Sequence, residues 1–480
     1  MRLPAAFLVV LFVFIGAPAG AEPMQTVDSD TGSAPADTAL AEESSTKARL
    51  AEQEEELKGL REQMELLNRR VAELEADSLG AASSLEERLR RLETSVESQP
   101  ELPPEEVSAG DFPGSLRIPG TDAAIKIGGF IWAAFVESFD ALGSEDRFLT
   151  FSIPVTGTPE AGKGSRLSFW ANPSRLNFDV RTPTEVGPMR AYIEGDFAGS
   201  SDAFRLRHAY GQYSRVLLGK TWSTFSDPDA NHEDLDFEGI NAENVQRQAQ
   251  FRYTFHPGED WKVALAVEQP IASFSGAASV SQVPDLVVGL HRSWDDSHLY
   301  ASIVARQLRG EPENRTYETV SGVGLGGSVS GDISLPVLED QDRIVFQMSV
   351  GRGIARYIND LNSAGEQEAV YDSTAGELRP LSHWGFYVAL EHHWGRADFL
   401  KGVGFNDLRS SLIWGYVNVD NLDIQPSGAY RRTHRVSFNL LWSPVPRIDL
   451  GTEYIWGQRE NKDGATGEAR QLQFRSRFKF

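Results

Sequence analysis

The chain has 480 residues, 46 Lys and Arg against 69 Asp and Glu for a formal charge of −23, and no cysteine. That balance excludes a nucleic-acid partner, and the missing thiols exclude both a disulfide framework and a lipid attached to an N-terminal cysteine. The length allows one large domain and an extension.

Residues 1–21 carry Arg2, an apolar run from Leu8 to Ile15 and the small residues Ala19-Gly20-Ala21 before Glu22, which predicts a cleaved signal peptide. No later apolar run reaches about 18 residues, so no helix is expected to cross a membrane. Residues 22–46 are rich in Ala, Ser, Thr, Asp and Glu and predict a disordered tether. From 47 to 99 the apolar spacing is three then four, through Leu57, Leu60, Met64, Leu67, Val71 and Leu74, and it resumes after Gly80 as Leu85, Leu89, Leu92 and Val96. This is an α-helical coiled coil with a stutter, and its unpartnered seam predicts self-association, with a trimer the natural state. Pro100, Pro103 and Pro104 end it and open a linker over 100–123.

From 124 to 480 the texture is alternation. Ile125, Ile127, Ile131 and Phe135 oppose Lys126, Gly128, Phe130 and Trp132, and segments of this period recur near 165–181, 187–197, 203–213, 215–225, 247–255, 261–268, 285–294, 298–309, 320–334, 342–352, 381–393, 406–418, 432–443, 446–459 and 467–480. The total is about sixteen strands, the pattern of a transmembrane all-β barrel of antiparallel strands. Brief connections such as Ser214 and Pro444-Val445 alternate with long ones such as 140–164, 226–246 and 353–380, as short periplasmic turns and longer outer loops should. Trp222, Trp261, Trp294, Trp394, Trp442 and Trp456 near strand ends suggest interfacial girdles. The last strand puts Leu472, Phe474, Phe478 and Phe480 on one face and Gln471, Gln473, Arg475, Arg477 and Lys479 on the other, so a lipid face and a lumen face are both legible.

A barrel this wide leaves an aqueous passage unless something narrows it. Alternation turns Arg175, Asn177, Asp179 and Arg181 inward, then Arg190, Tyr192, Glu194 and Asp196, then Arg205 and Arg207, then Gln248, Gln250 and Arg252, with Arg306 and Arg343 joining them. Arginines cannot lose their charge and match carboxylates two bonds at a time, so Arg175, Arg181, Arg190, Arg205, Arg207 and Arg252 are candidate anion-selecting residues. Each could equally pair with a neighbouring acid as wall scaffolding. The loop 226–246 is the candidate constriction, with Asp227, Asp229, Glu233, Asp236 and Glu238 facing the arginines across the pore. Asp227, Asp229, Asn231 and Glu238 have calcium-loop spacing, but His232 stands where that loop turns on glycine, so no metal is expected. No cofactor or catalytic group is expected: His392 and His393 point to opposite faces, and only His208 beside a strand serine hints at a surface hydrolase.

SLRIPGTDAAIKIGG at 115–129, SRLNFDVRTPTEVGPMRAYIEGDF at 174–197, RLRHAYGQYSRVLLGKTWSTFSD at 205–227, LDFEG at 235–239 and RQAQFRYT at 247–254 resemble the DcaP-like family of trimeric outer-membrane porins. The resemblance implies trimers that take up small dicarboxylates and related anions through arginine-bearing constrictions. Lys220 departs from the glutamine expected there, and Trp132 and Ala134 make the first strand's inner face less polar. The expectation is a Gram-negative outer-membrane porin, a passive channel and not an enzyme. It would be embedded in lipid, trimeric through barrel and coiled coil, with the stalk in the periplasm, and pass small organic anions, dicarboxylates first. The rival reading is a structural anchor that ties the stalk to envelope partners such as cell-wall polymer.

Overall fold

In the computed structural model the described residues are 58–59, 64–70, 87–88, 90–91, 108–313, 318–335, 342–365, 367–394 and 407–480. The signal peptide and tether lie outside them. So does most of the heptad segment, whose described residues are helical and exposed and include an Arg91–Glu87 ion pair of 2.9 Å. The chain divides into residues 1–104 and residues 105–480, and the second unit holds all the strands described below.

Sixteen antiparallel barrel strands follow one another in chain order: β1 (Ala124–Asp140), β2 in two runs (Gly164–Trp170 and Arg175–Thr182), β3 (Met189–Asp196), β4 (Arg205–Tyr213), β5 (Val216–Trp222), β6 (Arg247–Phe255), β7 (Trp261–Glu268) and β8 (Asp285–Trp294). They continue as β9 (Ser297–Pro312), β10 (Val320–Ser334), β11 (Arg343–Arg352), β12 (Ser382–His393), β13 (Leu408–Asp420), β14 (Tyr430–Val445), β15 (Ile448–Asn461) and β16 (Thr466–Lys479). Every segment expected from alternation is a strand. The sheet closes where β1 pairs with β16, Phe130 opposite Lys479 and Ser138 opposite Gln471, so the first and last barrel strands leave no open edge between them. The linker is less plain than expected, because Leu116–Arg117 adds a short strand to the start of β1.

Side chains sort by parity along each strand. In β16, Phe474 and Phe478 are 51% and 45% exposed while Gln471 and Gln473 are buried, as a lipid-facing outside and a filled inside demand. β4 breaks the rule once. Glu194 pairs with His208 but the next residue, Gly195, pairs with Leu206, so Arg207 is the extra residue of a bulge. Both Arg207 and His208 are therefore buried on the lumen side, where His208 Nδ1 lies 3.0 Å from Thr221 Oγ1. This corrects the surface-hydrolase reading, which needed His208 outside.

The inside is filled from one end, opposite the end where β1 begins and β16 finishes. The connections 141–163, 223–246 and 353–381 all turn into the barrel, and Phe225 and Ala242 pack with Ile354, Tyr357, Ile358 and Leu361 in one buried cluster. Asp360, at φ +81°, accepts from the Phe151 N–H at 2.6 Å and the Tyr430 and Thr433 hydroxyls at 2.8 and 2.6 Å, binding two of these loops to β14. The wall makes room for loop 223–246 with glycines. A Cβ at Gly415 would meet Asn241 Oδ1 at 2.2 Å and Ile240 Cγ1 at 2.7 Å, and one at Gly451 would meet Leu235 Cδ2 at 2.8 Å.

Gly415→Val should therefore push loop 223–246 off the wall and into the lumen, at an overpacking cost of about 1–3 kcal/mol. The expected result is a lower single-channel conductance and a lower melting temperature in detergent, with the barrel still assembled.

Candidate functional site

Between the first strands and the inward loop lies a cavity of about 600 Å3. Its wall side is built by β1, β2, β4, β5, β6 and β16, which present Arg175, Arg205, Arg207, Lys220, Arg247, Arg475 and Arg477. Its loop side presents Glu233, Asp234, Asp236, Glu238 and Glu243, with Arg147 from loop 141–163 and Asn359, Asn362 and Ser363 from loop 353–381.

On the wall two carboxylates serve three arginines. Arg205 grips Asp196 through Nε and Nη2 at 2.9 and 2.8 Å, and Arg207 Nη1 reaches the same carboxylate at 2.8 Å. Glu194 lies 3.3 Å from Arg207 and 3.6 Å from Arg175, whose guanidinium also covers the Phe130 ring at 5.2 Å. The Arg207 bulge is what stacks these groups, because it keeps two successive residues of β4 turned inward.

Three cations of the cavity have no carboxylate within 4 Å among the described residues. Lys220 donates to the Leu206 carbonyl at 3.2 Å. Arg247 lies over the Trp222 ring at 4.5 Å, and its buried Nη1 has no hydrogen-bond partner. Arg475 lies over the Trp132 ring at 4.7 Å and donates to the Asp234 carbonyl at 2.8 Å. Rings hold these guanidiniums in place by cation–π attraction without neutralising them.

The loop side is acidic and strongly perturbed. Burial pushes the Glu238 carboxyl up to about 7, an effect that Arg147 at 3.7 Å only partly offsets. Burial likewise pushes Glu243 up to about 7, and no cation stands within 4 Å of it among the described residues. Burial alone would lower the His232 imidazole, but Asp234, 3.5 Å away, outweighs it and raises it to about 8.

Of the six arginines singled out by alternation, Arg175, Arg205 and Arg207 line the cavity. Arg181 and Arg190 also face inward but both bind Asp179, at 2.7 and 2.9 Å, outside it. Arg252 is turned to the Trp222 carbonyl and to Gln250. Arg306, 1% exposed at its side chain, is fixed to Asp285 at 2.9 Å, and Arg343 to Asp332 and Glu391 at 2.6 Å each, so these two are scaffolding.

Among the loop acids, Glu233, Asp236 and Glu238 border the cavity. Asp236 is 3% exposed and turned to Arg435 and Gln473, and Glu233 is tied to Arg409. Asp227 goes instead to His298 and Ser330, at 3.0 and 2.7 Å, and Asp229 to His291 at 3.5 Å. The residues with calcium-loop spacing are thus dispersed to separate partners. Sequence reasoning missed Arg147, Arg247 and Glu243, and read Trp222 as a girdle residue when it lines the cavity.

A family model described as porin subfamily matches residues 114–473. The solved outer membrane channel DcaP of Acinetobacter baumannii superposes with a TM-score of 0.65 at 20% identity, covering 78% of this chain and 100% of that one. An anion-selective porin from Comamonas acidovorans does so with a TM-score of 0.50 at 10% identity, covering 75% of this chain and 100% of that one. Both likenesses are of fold. No curated protein matches the sequence.

As pH rises from about 6 to about 8, Glu238 and Glu243 ionise and His232 begins to lose its proton, and every one of these steps makes the cavity more negative. The anion-to-cation permeability ratio, read from the reversal potential in a salt gradient, should fall by about twofold or more over that range. Glu238→Gln combined with Glu243→Gln should remove most of the change.

Proposed function

The chain belongs to the porin subfamily, and on that premise we propose that it is a passive outer-membrane pore that favours small organic anions, dicarboxylates first among them. The observation that carries this reading is the set of three cations, Lys220, Arg247 and Arg475, that border one cavity without a carboxylate partner among the described residues. A guanidinium already gripped by an acid adds little to the field a solute meets, whereas an unpaired one adds its full charge. Rings of such cations select anions in pores. Two or three of them around a space of about 600 Å3 suit a solute with a carboxylate at each end. Solute movement would follow its own gradient. The proposal includes a homotrimer, joined through barrel and heptad segment, with the segment in the periplasm.

Reversal potentials across planar bilayers in a potassium chloride gradient test the reading. The wild-type pore should prefer chloride over potassium. Lys220→Gln together with Arg475→Gln should lower that preference by about two- to fivefold, since each removes one unneutralised charge from a confined passage. A cation-preferring wild type, or a double variant with unchanged preference, would overturn it.

A further inference from the structure

Among the described residues the cavity leaves charges of both signs without a counter-ion within 4 Å, which a pore built only for anions has no use for. Opposite Lys220, Arg247 and Arg475 stands Glu243, which lines the same space and has no cation within 4 Å among the described residues. Glu243 and Asp234 bracket one glycine. A Cβ at Gly239 would lie 3.1 Å from Glu243 Oε2 and 3.6 Å from Asp234 Oδ2, so Gly239, at φ +81°, brings both carboxylates together without placing a side chain over them. His232, 5% exposed, borders this corner as well. Its Nε2 is paired with Asp234 at 3.5 Å, while its buried Nδ1 makes no hydrogen bond among the described residues. A buried ring nitrogen left without a hydrogen bond at the rim of a cavity marks a position where a polar group from a solute completes the set.

We propose that this cavity is a binding site for acidic α-amino acids, dicarboxylates that also carry an ammonium group. Lys220, Arg247 and Arg475 share the two carboxylates, and Glu243, supported by Asp234, takes the ammonium. The assignment rests on the anion-pore reading and narrows it. A plain dicarboxylate satisfies the wall but sets its own negative charge against Glu243, whereas the amino acid satisfies both sides. The five-carbon members of the class fit a space of about 600 Å3 with room for water to pass.

Glutamate and glutarate are the probes, because they differ only in the amino group. Each is added at pH 8 to the full-length protein in planar bilayers, and its affinity is read from the concentration dependence of current block. The wild type should bind glutamate about fivefold tighter than glutarate, the size of a partly screened ion pair. Glu243→Gln, with its potassium chloride conductance showing that pores form, should abolish that preference by weakening glutamate alone. Lys220→Gln should weaken both solutes in parallel and leave their ratio in place. Equal block by the two acids in the wild type, or a preference that survives in Glu243→Gln, overturns the ammonium site while leaving the anion pore standing. Absence of block by either acid overturns the binding site, while failure of the anion pore is read separately, from a wild-type reversal potential that prefers potassium.

Discussion

One buried guanidinium holds the inside of this barrel together. Arg435, on the inner face of β14 and 1% exposed, donates from Nη1 to Asp236 of loop 223–246 at 2.9 Å and to the Phe148 carbonyl of loop 141–163 at 3.4 Å, with Glu453 of β15 at 3.6 Å. Asp236 in turn accepts from the Phe148 N–H and from Gln473, at 3.1 and 2.9 Å. Burying such a set is costly unless every member is paired, so the charges specify the loops' positions more than they stabilise the fold. An arginine suits the role because five fixed donors can serve two loops and a strand at once.

The two halves of the inner wall use arginine differently, and the division of labour follows from carboxylate supply. In the later strands Arg306, Arg343, Arg409 and Arg435 each meet acids of the wall or of the inward loops, and their charge is consumed in fastening. In the early strands Asp196 and Glu194 are outnumbered by the guanidiniums around them and Arg247 rests on a tryptophan ring instead, as does Arg475 of β16, which adjoins β1 at the seam. An aromatic face positions a cation and leaves its charge available, which is what a passage for solutes requires. Loop 223–246 then faces this surplus with acids of its own, so the field runs across the cavity from wall to loop.

The strands were legible in the sequence because a period of two is enforced by lipid outside and polar groups inside at every position. The inward turn of Arg175, Arg205 and Arg475 followed from the same rule. Arg247 and Trp222 escaped it because they sit at the ends of β6 and β5, where the chain leaves the sheet and side-chain direction is set by the loop. His208 escaped it because a bulge shifts parity, and nothing in RLRHAY announces which residue is the extra one. That loop 223–246 turns inward was a reasonable reading of its length and position. Which acid would reach which wall arginine was not, since Glu233 meets Arg409 and Asp236 meets Arg435 across separations that no local pattern encodes.

The seam between β1 and β16 has a consequence for how such a protein comes into being. Trp132 and Arg475 stack across that seam, from the first barrel strand and the last. Arg475 also holds the Asp234 carbonyl, so the loop side of the cavity is fastened to the same final strand. A barrel inserted strand by strand and still open at this junction has neither its tryptophan-backed cation nor its loop anchor. The cavity is therefore completed by the same event that closes the barrel at this seam. Sealing the wall and completing the cavity are one step.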